Sequence, residues 1–257
     1  MPVDRIALLL LLASQGIMAP VWAELARPEL CARLDGAGDR QPDEVRRYRM
    51  LLNDQPAGRE VFRFWQDGSD VRVLVDTTFD GRVWIFPADL RHCRDERWQE
   101  QAGTLQLVEL ESATRYAVPF KPDYEIHIER DPVRGDIVYR GTSRFDSFEE
   151  RHPQNTGAIT PWSIRTVAYD RILDLFAHGA YAIESRLAGR ATVDGKEVVH
   201  YAIGGEWPRH LWYREGKMIR FCGQEPFGTY IETVLEAYAD RAIDAVDLSR
   251  PCALLFE

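Results

Sequence analysis

Between Arg46 and Leu235, apolar and polar residues repeatedly alternate with period two, the spacing that lines one face of a β-strand. Val71 to Phe79 is the clearest case, with Val71, Val73, Val75 and Phe79 on one face. Arg47 to Asn53, Glu60 to Gln66, Arg82 to Phe86, Thr104 to Glu111, Tyr124 to Glu129 and Asp136 to Arg140 read as further strands. Leu90 to Gln99 is charged but extended in character. After an irregular stretch from Gly141 to Pro161, strands resume over Tyr181 to Thr192, Glu197 to Ile203, Arg209 to Arg214, Lys217 to Cys222 and Thr229 to Leu235. Asp67-Gly68, Asp80-Gly81, Asp194-Gly195 and Glu215-Gly216 punctuate these runs. Asp-Gly suits the tight hairpin turns in which both central residues need positive φ.

Two segments break the period. Ile164, Val167, Ile172, Leu175 and Phe176 include three- and four-residue spacings and predict one helix from Pro161 to His178, ended by Gly179. Ala237 to Val246 predicts a short helical turn near the C-terminus. The pattern therefore predicts a mainly β fold: a single curved antiparallel sheet or partly open β-barrel with one central helix and a short C-terminal helix. No linker divides it, so residues 46–257 read as one domain behind a polar leader, 24–45.

The first 23 residues have a different grammar. Arg5, the apolar run Ile6 to Ala13, Gly16, Pro20 and the triplet Val21-Trp22-Ala23 form the charged start, short apolar stretch and small-residue cleavage site of a secretory signal. The run is too short to span a bilayer. Cleavage after Ala23 would remove one Asp and one Arg, leaving the net charge at −9. The expected compartment is the periplasm or the exterior, and the expected protein is not an integral membrane protein. A net charge of −9 argues against nucleic acid, whose binding needs Lys and Arg on phosphates, and against docking on anionic lipid heads.

Export changes the meaning of Cys31, Cys93, Cys222 and Cys252. They are even in number, widely spaced and without a Cys-x-x-Cys pair, which in an oxidising compartment reads as two disulfides rather than a zinc site. Three pairings are possible. Cys31 with Cys252 and Cys93 with Cys222 is the favoured one, because the first bridge ties the two ends of the domain together.

From Arg46 to Leu235, the order of elements resembles an uncharacterised family of exported bacterial β-proteins, a domain of unknown function. The resemblance is carried by Tyr48 to Gly58, Val71 to Asp76, Arg91 to Trp98, the hairpin Thr192 to Tyr201, and Leu211-Trp212-Tyr213 with Gly216 and Arg220. The last pattern, a strand with aromatics, a Gly turn and a basic strand, is similar to one in open-barrel periplasmic carriers of the Lol type. The resemblance implies a fold and a compartment, not an activity. The two Cys-bearing ends lie outside the family-like core, a second reason to pair Cys31 with Cys252.

The chain carries no Gly-x-Ser-x-Gly elbow, phosphate-cradling loop, His-Glu-x-x-His or EF-hand loop, so no catalytic residue, metal or cofactor is assigned. In Arg91 to Trp98, period two places His92, Arg94, Glu96 and Trp98 on one face and Arg91, Cys93, Asp95 and Arg97 on the other. The functional reading is an anion site lined by Arg94 and Trp98 with His92 as proton donor. The ordinary reading, a solvated charged strand, is preferred. His152 and Trp162 could rim a pocket mouth, and His178 suits a helix C-terminus.

The expected function is non-enzymatic binding of an apolar or lipid-like ligand in the curved sheet. Its lining would be Phe64, Trp65, Trp84, Trp98, Trp162, Trp212 and Tyr213, with the helix and the 141–161 loop as a lid. Two alternatives are an interaction module of the cell envelope, with a filled core and an exposed edge strand, and a hydrolase with a spatially assembled site. The hydrolase reading requires His152 to reach both a Ser or Thr hydroxyl and a carboxylate.

Overall fold

The computed structural model describes residues 28–35, 40–83, 86–87, 89–117, 121–158, 162–163, 169–205, 208–225, 229–238 and 251–256. The signal segment, Trp84 and most of the C-terminal helical segment lie outside them.

Among the described residues, one short helix, α1 (Glu29–Asp35), precedes seventeen strands. The first half holds β1 (Glu44–Leu52), β2 (Gln55–Asp67), β3 (Asp70–Phe79), β4 (Arg82–Val83), β5 (Phe86–Pro87), β6 (Leu90–Gln101), β7 (Thr104–Tyr116), β8 (Tyr124–Arg130) and β9 (Ile137–Ser143). The second holds β10 (Ser147–His152), β11 (Thr156–Ala158), β12 (Arg171–Leu173), β13 (Ala180–Val193), β14 (Lys196–Gly205), β15 (Arg209–Arg214), β16 (Lys217–Glu225) and β17 (Thr229–Leu235). The mainly β expectation holds. Asp194-Gly195 and Glu215-Gly216 make the expected hairpins, each with positive φ at both residues.

Fifteen strands form one sheet in the order β10-β9-β8-β7-β6-β3-β2-β1-β17-β16-β15-β14-β13-β12-β11. It curls into a nearly closed barrel with an unsealed seam between its two end strands, β10 and β11. Pairing is antiparallel except between β11 and β12. Asp80-Gly81 does not turn the main sheet. β4 and β5 form a separate small hairpin, and β3 pairs directly with β6.

Two sequence expectations are corrected here. The predicted helix at 161–178 is not found where the range is described: Arg171–Leu173 is a strand and residues 174–179 run on without helix, while 161 and 164–168 lie outside the described residues. Ile172, Leu173 and Leu175 are all buried. A short segment buried on every side shows a run of apolar residues whose period cannot separate helix from strand. The stretch read as an irregular loop contributes the end of β9 together with β10 and β11.

The disulfides are Cys31–Cys93 and Cys222–Cys252, with Cα atoms 5.5 and 5.6 Å apart, not the favoured pairing. The sheet order gives the reason. From β6 to β16 is five strand spacings, about 24 Å at the usual 4.8 Å each. A disulfide requires Cα atoms within about 7 Å. Each bridge instead pins a terminal segment onto the outside of the wall. Cys31 holds α1 over Cys93 and Ala113, with Leu30 buried beneath it. Cys252 holds a 3-10 turn (Cys252–Leu255) against Val198, Trp212 and Ile219.

Candidate functional site

Register turns the inner wall into transverse rows. Glu60 on β2 is paired with Thr77 on β3, Thr77 with His92 on β6, and His92 with Thr114 on β7. Phe62, Val75, Arg94 and Ser112 make the next row, and Phe64, Val73, Glu96 and Leu110 the one after. Adjacent rows are about 7 Å apart along the strands. The predicted face of β6 is therefore correct, but the preferred environment is not: His92, Arg94 and Glu96 are at most 1% exposed and point into the barrel.

Their charges are matched inside. Arg94 Nε donates to Glu96 Oε1. Glu96 Oε2 accepts from Trp98 Nε1 at 2.6 Å and Trp162 Nε1 at 2.8 Å. Glu60 Oε1 accepts from Thr77 Oγ1 at 3.0 Å. Burial pushes the Glu60 carboxyl above its ordinary range despite nearby Arg94, which favours the protonated acid. Burial, helped by Arg94, holds His92 well below the usual histidine range, so its ring is neutral.

Which nitrogen of His92 carries the proton follows from its neighbour. Thr114 Oγ1 lies 2.8 Å from His92 Nδ1 and 3.4 Å from the Leu175 carbonyl oxygen, and both contacts are hydrogen bonds only in the tautomer with the proton on Nδ1, where the hydroxyl accepts from the ring and donates to the carbonyl. Nε2 is left as a buried lone pair without a hydrogen-bond partner among the described residues. Such an unmet group costs about 1–3 kcal/mol.

What covers these rows is the segment read as a helix. Trp162, Tyr169 and residues 174–179, which flank β12, pack on the concave face as a strap. Trp162 packs edge-on against Phe64 and Trp98, with ring centroids 5.1 and 5.9 Å away. Its carbonyl accepts from Arg46 at 3.0 Å. Tyr169 donates to the Leu105 carbonyl at 2.9 Å, and its ring lies so close to Gly157 that a Cβ there would overlap it. Farther on, Phe176 lies 4.6 Å from the His92 ring, and Tyr116 donates to the Phe176 carbonyl at 2.8 Å. Tyr139 Oη sits 2.8 and 2.9 Å from the Asp174 and Ala177 carbonyls.

The strap also reaches β10 at the seam. His178 Nε2 lies 2.8 Å from Glu150 Oε1, and its ring stacks on Phe148 at 3.8 Å. His178 thus contacts a carboxylate and an aromatic ring in place of the expected helix-end role. His152 contacts Glu150, with Nε2 to Oε2 at 3.1 Å. Among the described residues, the hydroxyl within hydrogen-bond distance of a histidine is that of Thr114, at His92.

Of the expected lining residues, Phe64, Trp98, Trp162 and Tyr213 lie in the interior cluster. Trp65 and Trp212 lie on the convex face. Trp65 donates to the Arg40 carbonyl, and Trp212 stacks on His200 at 4.4 Å beneath the C-terminal segment. Phe64-Trp65 and Trp212-Tyr213 are sequence neighbours on strands, so one of each pair must face outward. Sequence reasoning missed Glu60, Thr77, Thr114 and the strap contacts of Tyr116 and Tyr139, since nothing but register brings them together. A cleft of about 400 Å³ opens beside the Trp162 end of the strap, lined in part by Glu44, Arg46, Arg214 and Lys217. There burial raises the Glu44 pKa, but Arg46 and Lys217 outweigh it and bring it to about 2.

The chain is similar to a β-barrel-like protein from Brucella abortus. That solved structure, of Domain of Unknown Function DUF1849, shares 11% identity, with 74% of this chain and 94% of that chain covered and a TM-score of 0.47. No family model and no curated protein matches the chain. Among the described residues, no helix is long and apolar enough to cross a membrane.

Proposed function

We propose that this is an exported, non-enzymatic binding protein that holds an apolar, lipid-like molecule on the concave face of its barrel, in the place the strap now fills. The observation that carries this reading is how that face is closed. About eight strands make a barrel that side chains alone can fill, and fifteen enclose more. Here side chains and turns that flank β12 fill the difference, and wall and strap meet through hydrogen bonds at the Leu105, Asp174, Leu175 and Phe176 carbonyls as well as at Trp162. The surface beneath the strap includes Phe62, Phe64, Trp98, Leu107 and Leu110, a lining that suits an alkyl chain. The secretory pattern of residues 1–23 and the two disulfides support export.

Native mass spectrometry of the chain purified from a periplasm tests the reading. The expected result is an added mass, removable by organic extraction and identified as lipid-like, with one copy rebinding to the stripped protein. A stripped protein that rebinds no alkyl probe rules the reading out. A second reading, strand addition by an envelope partner, is favoured by β13: β12 pairs only with residues 180–182, and no residue of this fourteen-residue strand is buried. A polypeptide mass copurifying in the same spectrum would favour it.

A further inference from the structure

We infer that the row Glu60, Thr77, His92 and Thr114 is a head-group subsite, and that the molecule held on the concave face is an aliphatic alcohol whose hydroxyl donates to His92 Nε2. This rests on the proposed binding of an apolar ligand and adds which end chemistry is selected. His92 is fully buried, its Nδ1 proton is committed to Thr114, and its Nε2 lone pair has no partner among the described residues. A lone pair calls for a donor, which rules out a bare alkane and a carboxylate, since neither offers one. An ammonium would have a donor, but Arg94 stands one row away on the same strand, and its partner Glu96 already accepts from Trp98 and Trp162. A neutral hydroxyl satisfies both conditions. The Phe176 ring now lies 4.6 Å from the imidazole, where it excludes water but offers no hydrogen bond. The end of the ligand replaces that ring, while the rows of Phe62 and Phe64 receive its chain.

The test compares 1-dodecanol with dodecyl methyl ether, which has the same chain but no donor. Each displaces the apolar fluorophore N-phenyl-1-naphthylamine from the mature protein. The expected result is that the alcohol binds about 5–10-fold more tightly than the ether, the scale of one net hydrogen bond. His92→Phe should abolish that preference and keep the ether affinity. Because a buried substitution can impair folding, the ¹⁵N resonances of His92 in the wild-type protein provide an independent readout. Nε2 should be unprotonated in the free protein and shift on adding dodecanol but not the ether. Equal affinities in the wild type, a preference that survives His92→Phe, or an unmoved Nε2 resonance would overturn the head-group assignment alone. Binding of neither probe would overturn the concave-face reading with it.

Discussion

His92 and Glu60 stand in one row, yet acid acts on them in opposite senses. The His92 pKa lies well below its ordinary 6.5 in the folded chain, so below that pH the unfolded chain binds a proton that the folded chain refuses. Its effect is a loss of stability as pH falls through 6.5 toward the folded value. The Glu60 pKa lies above its ordinary 4.5, so the folded chain keeps a proton that the unfolded chain releases. Its effect is a loss of stability as pH rises from 4.5 through the raised value. Urea unfolding from about pH 4 to 8 should therefore show His92→Gln with a flatter acid limb than wild type and Glu60→Gln with a flatter alkaline one. Identical slopes in all three proteins would mean these groups do not titrate as described. Period two was enough to place His92, Arg94, Glu96 and Trp98 on one face. It could not say whether that face was wet. The rule that charge runs are solvated fails here because Arg94 and Glu96 neutralise each other, with two indoles completing the carboxylate's hydrogen bonds.

At the scale of elements, strands and turns were legible wherever one face was buried and the other wet. Val71 to Phe79 and the hairpins at Asp194-Gly195 and Glu215-Gly216 are examples. The strap was not legible, because a segment enclosed by a barrel has no wet face to set a period. The cysteine pairing failed for a related reason: it depends on which strands are neighbours, which spacing along the chain does not encode. Each bridge acts locally, fastening one terminal segment to the convex face. Proteolysis without reduction should yield linked peptides joining Cys31 to Cys93 and Cys222 to Cys252. Replacing both Cys222 and Cys252 with Ser should cost about 2–5 kcal/mol and expose residues 251–257 to cleavage while the barrel persists. Linked peptides with any other pairing would contradict the sheet order.

As a whole molecule, the described residues form a curved wall with an unsealed seam between its end strands and an interior filled by the chain itself. β10 and β11 do not pair, and Glu150 on β10 reaches His178 in the β12–β13 connection through a side-chain contact. The cleft at the Trp162 end meets the strap through Arg46, which lines the opening and also holds the Trp162 carbonyl. An apolar molecule on the concave face would meet Trp162 and Trp98. Trp65 and Trp212, on the convex face, would stay apart from it. Titration with a terminally brominated dodecanol, read by tryptophan fluorescence, separates these positions, because bromine quenches only indoles it touches. Quenching should saturate at one equivalent, fall sharply in Trp98→Phe and Trp162→Phe, and be unchanged in Trp65→Phe. Quenching that is lost in Trp212→Phe or Trp65→Phe but kept in the two interior variants would place the ligand outside the barrel and contradict binding on the concave face.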